Sequence, residues 1–175
     1  MFARRQKSAL FSLQKTTTTP LLRYNSSTTV TFGPHTIQKE YQIFYETSKS
    51  YGLCNITPVL PGHVLVCPKL QVQHVGDLPA EDLTDLIHSV QRVSSTLKKY
   101  YNADALTINC QDGVAAGQTV PHVHFHILPR KFGDFEKKGD VYKKLRVHDK
   151  GKEFEQNKRS LDEMKEEAIE FRKLF

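Results

Sequence analysis

The chain has 175 residues, 38% of them hydrophobic and 25% charged, which suits one domain with a packed core rather than two. No apolar run reaches the roughly 18 residues that a membrane-crossing helix needs, so stable membrane insertion is not expected. Of the formal charge of +6, five units come from Arg4, Arg5, Lys7, Lys15 and Arg23; the remainder is nearly neutral, which argues against nucleic acid as a partner.

Residues 1–30 are basic, rich in Ser and Thr, and free of acid until Glu40. Wound as a helix they gather Phe2, Leu10 and Leu13 on one side, with Arg4, Lys7 and Lys15 roughly opposite. That is the make-up of a mitochondrial transit peptide, with a disordered basic tail on a cytoplasmic or nuclear protein as the alternative. The domain proper is expected over 31–175. Short β-rich runs are predicted at Phe32–Ile37, Tyr41–Glu46, Tyr51–Asn55 and His63–Cys67, set apart by turn-forming Gly33-Pro34, Ser48-Lys49-Ser50 and Pro61-Gly62. Over 79–101 the period changes. Leu83, Leu86, Ile87, Val90, Val93, Leu97 and Tyr100 recur at three- and four-residue steps, the stripe of one long helix. Glu81 and Asp82 favour its start and Lys98-Lys99 its end.

Ala105–Cys110 alternates as a strand, and the Gly-containing loop 111–118 leads into a histidine-bearing strand that Pro129 should end. The Lys-, Gly- and Asp-rich stretch 131–158 reads as a mobile surface segment. Ser160 can cap a last helix carrying Leu161, Met164, Ala168, Phe171 and Leu174. Strands grouped around two helices predict an α+β domain with an antiparallel sheet of about five strands. Cys54, Cys67 and Cys110 are odd in number and widely spaced, so they read as buried free thiols rather than a disulfide or Cys-built zinc framework.

His122-Val123-His124-Phe125-His126 carries most of the chemistry. In an extended strand the three imidazoles share one face, and Val123, Phe125 and Ile127 share the other. Clustered imidazoles discourage one another from taking protons, which favours nucleophilic neutral rings near pH 7. Two site classes fit this spacing. A catalytic metal could use His122, His124 and His126 with His63 or Asp112. Alternatively, an imidazole could attack phosphorus while neighbours donate to the phosphate oxygens. The loop Gln111–Thr119 offers amides, a hydroxyl and flexible backbone but one acid, which favours phosphoryl or nucleotidyl transfer. His35, His74, His88 and His148 lack such context and are expected to be solvated.

From Gln111 to Arg130 the pattern Gln-Asp-Gly-x-x-Ala-Gly-Gln-Thr-Val-x-His-x-His-x-His-x-x-Pro-Arg resembles the histidine triad family, and within it the fragile histidine triad branch of dinucleoside polyphosphate hydrolases. The run Asn55–Leu65 is similar to that branch's other signature. Phe32-Gly33, Lys131-x-Gly133-Asp134-Phe135, Tyr142 and Arg159-Ser160…Glu163-Met164 match as well. Val114-Ala115 departs from the Pro-Glu often found in that loop.

The resemblance implies that His124 is a nucleophile toward the α-phosphorus of diadenosine triphosphate, releasing ADP and then, with water, AMP. By the same resemblance His122 and His126 flank the phosphate, and the His122 carbonyl orients the His124 ring. His63 and Gln118 donate to phosphate or leaving-group oxygens, Gln111 reaches the polyphosphate, and Asn55 holds the ribose. Phe32, Ile37, Leu53, Cys54 and Leu65 align with an adenine pocket. Magnesium or manganese would arrive with the substrate without a dedicated protein site, and a homodimer with joined sheets is expected. A nucleotide-loaded signalling module, or a phosphoramidase or nucleotidyltransferase of a neighbouring branch, remains the alternative.

Overall fold

The computed structural model describes residues 27–137, 139–148 and 150–175. The transit-peptide reading therefore lies, except for residues 27–30, outside the described residues. Pairing begins at Thr29, where β1 (Thr29–Phe32) turns through Gly33-Pro34 into β2 (His35–Gln38). The expected single strand Phe32–Ile37 is thus a two-residue hairpin, because Gly33 takes a φ of +55° and reverses the chain. The next run is also divided. Lys39–Gln42 forms a helical turn, α1, before β3 (Ile43–Glu46). Then come β4 (Ser50–Cys54), β5 (Val64–Pro68), the long α2 (Ala80–Tyr100), β6 (Ala105–Cys110) and β7 (Phe125–Arg130). Three helices close the chain: α3 (Asp140–Val147), α4 (Gly151–Asn157) and α5 (Leu161–Arg172).

The main sheet has the order β3-β4-β5-β7-β6, every neighbouring pair antiparallel. Strand alternation gives the two faces different work. Val64 and Val66 of β5, with Ile127 of β7, meet Leu86, Val90, Val93 and Leu97 of α2 and Met164, Ala168 and Phe171 of α5. Leu65 and Cys67 point the other way and join Phe32, Ile37, Tyr51 and Leu53 under the hairpin. The predicted stripe of α2 holds except at its margins, where Ile87 and Tyr100 are exposed. α5 starts as expected on Ser160, in a reciprocal capping box with Glu163.

Pro129 does not end β7, which runs on to Arg130. Its partner β5 stops at Val64, opposite Ile127, so at Pro129 the strand has a ladder only with β6, and the missing N–H falls on the unpaired side. The expected mobile segment 131–158 also folds, into α3 and α4. Val141 and Leu145 are buried against Leu128, with Val59, Leu60 and Phe135 packed around them, and this apolar triplet holds α3 to the sheet.

Candidate active site

β7 begins only at Phe125, so of the three triad rings His126 alone lies within a strand. The chain at 122–123 is held by other means. His122 N–H donates to the Val120 carbonyl at 2.8 Å and Val123 N–H to the Val72 carbonyl at 2.9 Å. The alternation survives nonetheless: Val123 and Ile127 enter the helix-side core, while His122, His124 and His126 are buried on the hairpin side.

Each ring is fixed by a specific partner, and the partners determine where the protons sit. Gly33 N–H donates to His122 Nδ1 at 3.2 Å, so His122 carries its proton on Nε2, which lies 2.8 Å from the Pro68 carbonyl. Both nitrogens of His122 are thereby committed to backbone. Gly33 can make this approach because it has no side chain: a Cβ there would lie 2.6 Å from Val120 Cγ1. The His122 carbonyl accepts from His124 Nδ1 at 2.7 Å, which leaves the lone pair of the neutral His124 ring on Nε2. Phe32 stands edge-on to this ring, with centroids 5.2 Å apart.

A second chain of tautomers starts at Val59, whose N–H donates to His63 Nδ1 at 3.1 Å. His63 therefore bears its proton on Nε2, 3.0 Å from His126 Nδ1, and passes a donor to it. His126 is then protonated on Nε2, a buried atom with no hydrogen-bond partner among the described residues. Burial, reinforced by neighbouring imidazoles, drives His63 and His126 well below the ordinary imidazole range; burial also lowers His122, partly offset by its bond to Pro68. Nε2 of His124, whose Nδ1 is held by the His122 carbonyl, thus stands beside an N–H of His126 that has no partner among the described residues.

These rings border a cavity of about 590 Å³. Phe32, Ile37, Leu53, Cys54, Asn55, Leu65, His124 and His126 line it, so this group of the expected site residues comes together. Others sit behind or beside it. His63 and His122 form the second layer, supporting His126 and His124. Gln118 is buried with its Nε2 donating to the carbonyls of Gln73, at 3.0 Å, and His122, at 3.4 Å; in this arrangement it steadies the His122 carbonyl. Gln111 packs on Gly117, outside the lining. Asn55 Oδ1 accepts Thr57 N–H at 2.9 Å, while its own carbonyl is gripped by the Arg159 guanidinium, which also pairs with Glu167 at 2.8 Å.

The alternative metal cage is not assembled. Asp112 pairs instead with His74 at 2.9 Å in an exposed contact, and His122 has no nitrogen to offer. His63, His126 and His148 do bring ring nitrogens within 4.8 Å of one another. A metal-bound histidine normally donates its other N–H to an acceptor, whereas Val59 offers His63 Nδ1 a donor.

The structure adds residues that the sequence reading did not assign to the site: His148 from the end of α3, Phe154 from α4, Lys158, Arg159, and Leu161 and Met164 from α5. His148 in particular is half-buried beside the triad rather than solvated, at ring-centroid distances of 5.3 Å from His63 and 5.5 Å from His126. Its spacing from Leu145 and Val141 on one helical face was the available signal, masked by the lysines around it.

Comparison with known proteins places the chain in a family. The HIT domain family matches residues 36–133. Over 148 residues the chain is 48% identical to the bis(5'-adenosyl)-triphosphatase of Dictyostelium discoideum, spanning 85% of this chain and 94% of that protein. It is 47% identical over 152 residues to the bifunctional bis(5'-adenosyl)-triphosphatase/adenylylsulfatase FHIT of Arabidopsis thaliana, spanning 82% and 83% of the two chains. The crystal structure of Plasmodium falciparum diadenosine triphosphate hydrolase in complex with Cyclomarin A superposes with a TM-score of 0.64 at 31% identity, over 86% of each chain. The matched span contains most of the hairpin's second strand, the whole five-stranded sheet, the tautomer-locked rings and α2: this chain belongs to the HIT domain family.

Proposed function

We propose that the protein is a dinucleoside polyphosphate hydrolase that cleaves diadenosine triphosphate to AMP and ADP by way of AMP held on His124. The carrying observation is the 2.7 Å contact from His124 Nδ1 to the His122 carbonyl, which leaves a lone pair on Nε2 of a ring bordering the cavity. The names of the relatives in Dictyostelium and Arabidopsis support the substrate.

In the first step the Nε2 lone pair of His124 attacks the α-phosphorus. The bond from that phosphorus to the bridging oxygen breaks, and ADP departs with the electron pair. The His122 carbonyl holds the Nδ1 proton while the ring carries positive charge. The Nε2–H of His126 meets the negative oxygens, where a donor aimed at developing charge is worth most. In the second step water attacks, the phosphorus–nitrogen bond breaks, AMP leaves, and the proton from water passes to solvent. Two easier displacements replace one attack by water on a crowded anion.

The base fits the apolar wall of Phe32, Ile37, Leu53 and Leu65, and Asn55 lies where a ribose would follow. Among the described residues lining the cavity none is a carboxylate, so magnesium or manganese would take its charged ligands from the polyphosphate. β6 borders the sheet with a single partner and bears Ile108 at 47% exposure, which suits homodimer formation by joining two such edges. Light scattering would measure that mass. Mitochondrial delivery by residues 1–30 is tested by sequencing the mature N-terminus from organelles.

The deciding experiment for the reaction is product analysis on diadenosine triphosphate with wild type and His124→Asn, alongside trapping with labelled substrate. AMP and ADP from wild type, label on His124, and no turnover in the variant are expected. Undiminished turnover in His124→Asn would overturn the mechanism.

A further inference from the structure

Gln42 is a buried amide on the cavity wall that the reaction as derived leaves unused. It ends α1, the helical turn before β3, and the Arg172 guanidinium fixes that turn from α5. The guanidinium donates to the Ile43 carbonyl at 2.9 Å and to the carbonyls of Lys39 and Glu40 at 2.7 Å each. The Gln42 side chain is thereby held where it lines the cavity, and the residue is only 8% exposed. A neighbour sets its place along that cavity. Gln38 N–H donates to Gln42 Oε1 at 3.3 Å, and Gln38 directly follows Ile37, one wall of the apolar base pocket. The amide therefore stands at the base end of the site.

That bond also orients the amide. An oxygen must accept from Gln38 N–H, so the other terminal atom is the amino group, which can only donate. It carries two N–H groups, and its only acceptor among the described residues is Met164 Sδ at 3.8 Å, a weak thioether acceptor that lines the same cavity. A buried amide nitrogen is seldom left so poorly matched, because an unmet donor costs desolvation free energy. The apolar wall of Phe32, Ile37, Leu53 and Leu65 covers the face of a base but offers nothing to its polar edge. A purine edge carries ring nitrogens with an unshared electron pair, which complement a donor.

We propose that Gln42 reads the nucleobase, donating from Nε2 to a ring acceptor nitrogen of the purine while Oε1 stays on Gln38. The apolar wall then supplies most of the affinity, and Gln42 supplies the choice of base. This deepens the hydrolase reading above and rests on the position of the base taken there.

The test uses AMP and its 1-deaza, 3-deaza and 7-deaza analogues, in each of which a C–H replaces one ring acceptor nitrogen. Dissociation constants are measured by calorimetry for wild type, Gln42→Leu and Gln42→Met. Wild type should bind one of the analogues about 3- to 10-fold more weakly than AMP, the loss of one neutral hydrogen bond. Gln42→Leu should bind AMP more weakly by a similar factor, yet bind that analogue within about twofold of wild type and no longer separate the two ligands. Gln42→Met, which keeps the length of the side chain without its donor, should behave in the same way. Wild type that distinguishes none of the analogues overturns the proposal, as does equal discrimination by wild type and both variants. Losses shared by all the ligands in both variants overturn it too, since the amide would then only support the hairpin. Turnover of diadenosine triphosphate is followed in parallel: wild type that shows the expected binding pattern without cleavage would refute hydrolysis and leave the base contact standing.

Discussion

Lowering the pH from 7.5 to 5.5 should destabilise this domain through its active site. His63, His126 and His122 are buried as neutral rings, whereas in an unfolded chain each titrates near pH 6.5. Below that value the unfolded chain takes up protons that the native rings refuse, so stability falls as the pH falls; above it both states are neutral at these rings and the slope vanishes. One unit below the unfolded value, a ring that stays neutral in the native state costs about 1.4 kcal/mol. His63 and His126 together therefore cost about 3 kcal/mol at pH 5.5, with a further partial share from the less strongly shifted His122. Against a total stability of about 5–15 kcal/mol, that loss is readily measured. Carboxylates held low by partners, such as Asp134 beside Arg130 and Glu163 at the α5 cap, lose their contribution only below about pH 4.5, outside this window. Urea unfolding followed by circular dichroism at pH 7.5, 6.5 and 5.5 reads the effect directly, and His126→Asn should remove one ring's share of it. Stability that stays flat down to pH 5.5 would mean that the buried rings accept protons in the folded protein, and the neutral tautomer chain would then be wrong.

Other substitutions probe the same supports. His63→Leu removes the donor to His126 Nδ1 and frees that ring to adopt the other tautomer, so kcat/KM should drop about 10- to 100-fold; His63→Gln, whose amide can still donate, should retain more activity than Leu. Gly33→Ala combines a positive φ with a Cβ 2.6 Å from Val120, so urea unfolding should show a loss of at least about 1–2 kcal/mol. Because Gly33 N–H also holds His122 Nδ1, activity should fall with it. Ser160→Ala opens the α5 capping box and should cost about 1 kcal/mol in thermal or urea unfolding, with kcat/KM on diadenosine triphosphate unaffected.

How much of this was legible depended on whether the deciding contact was local. The stripe Leu86, Val90, Val93 and Leu97 announces α2 because helix period and burial coincide, and Ser160 with Glu163 announces a cap because both partners lie within one turn. The common face of His122, His124 and His126 was also readable, since it needs only an extended chain. The reason for it was not. Residues 122 and 123 are held by Val120 and by Val72, and Val72 arrives from the distant connection between β5 and α2. The proton positions were hidden for the same reason: Gly33, Pro68 and Val59 decide them through backbone groups that no side-chain pattern reports. α3 escaped detection because two buried residues, Val141 and Leu145, fix a helix whose other positions are largely charged, so composition outweighed a two-point period.

A neutral back wall suits the attack proposed for His124. An imidazole attacks through a lone pair, and every cation placed against it lowers its affinity for a proton and for phosphorus alike. Charge that helps the departing phosphates is therefore best held away from His124 and close to the bond that breaks. The sheet meets the first need: His63, just before β5, and His126 of β7 face each other as neutral rings, and the N–H of His126 has no partner among the described residues. A rigid sheet is suited to this because the donor chain from Val59 fails if any link rotates. Arg159 lines the cavity but is unsuited to the second need, because Glu167 and the Asn55 carbonyl already engage its guanidinium. Arg159 then acts at one remove, fixing the segment from Asn55 to Ile56 through its side chain and its own N–H, which donates to the Ile56 carbonyl at 2.8 Å. The same loop presents Val59 to His63, so a guanidinium that need not touch substrate helps decide which nitrogen of His126 bears the proton.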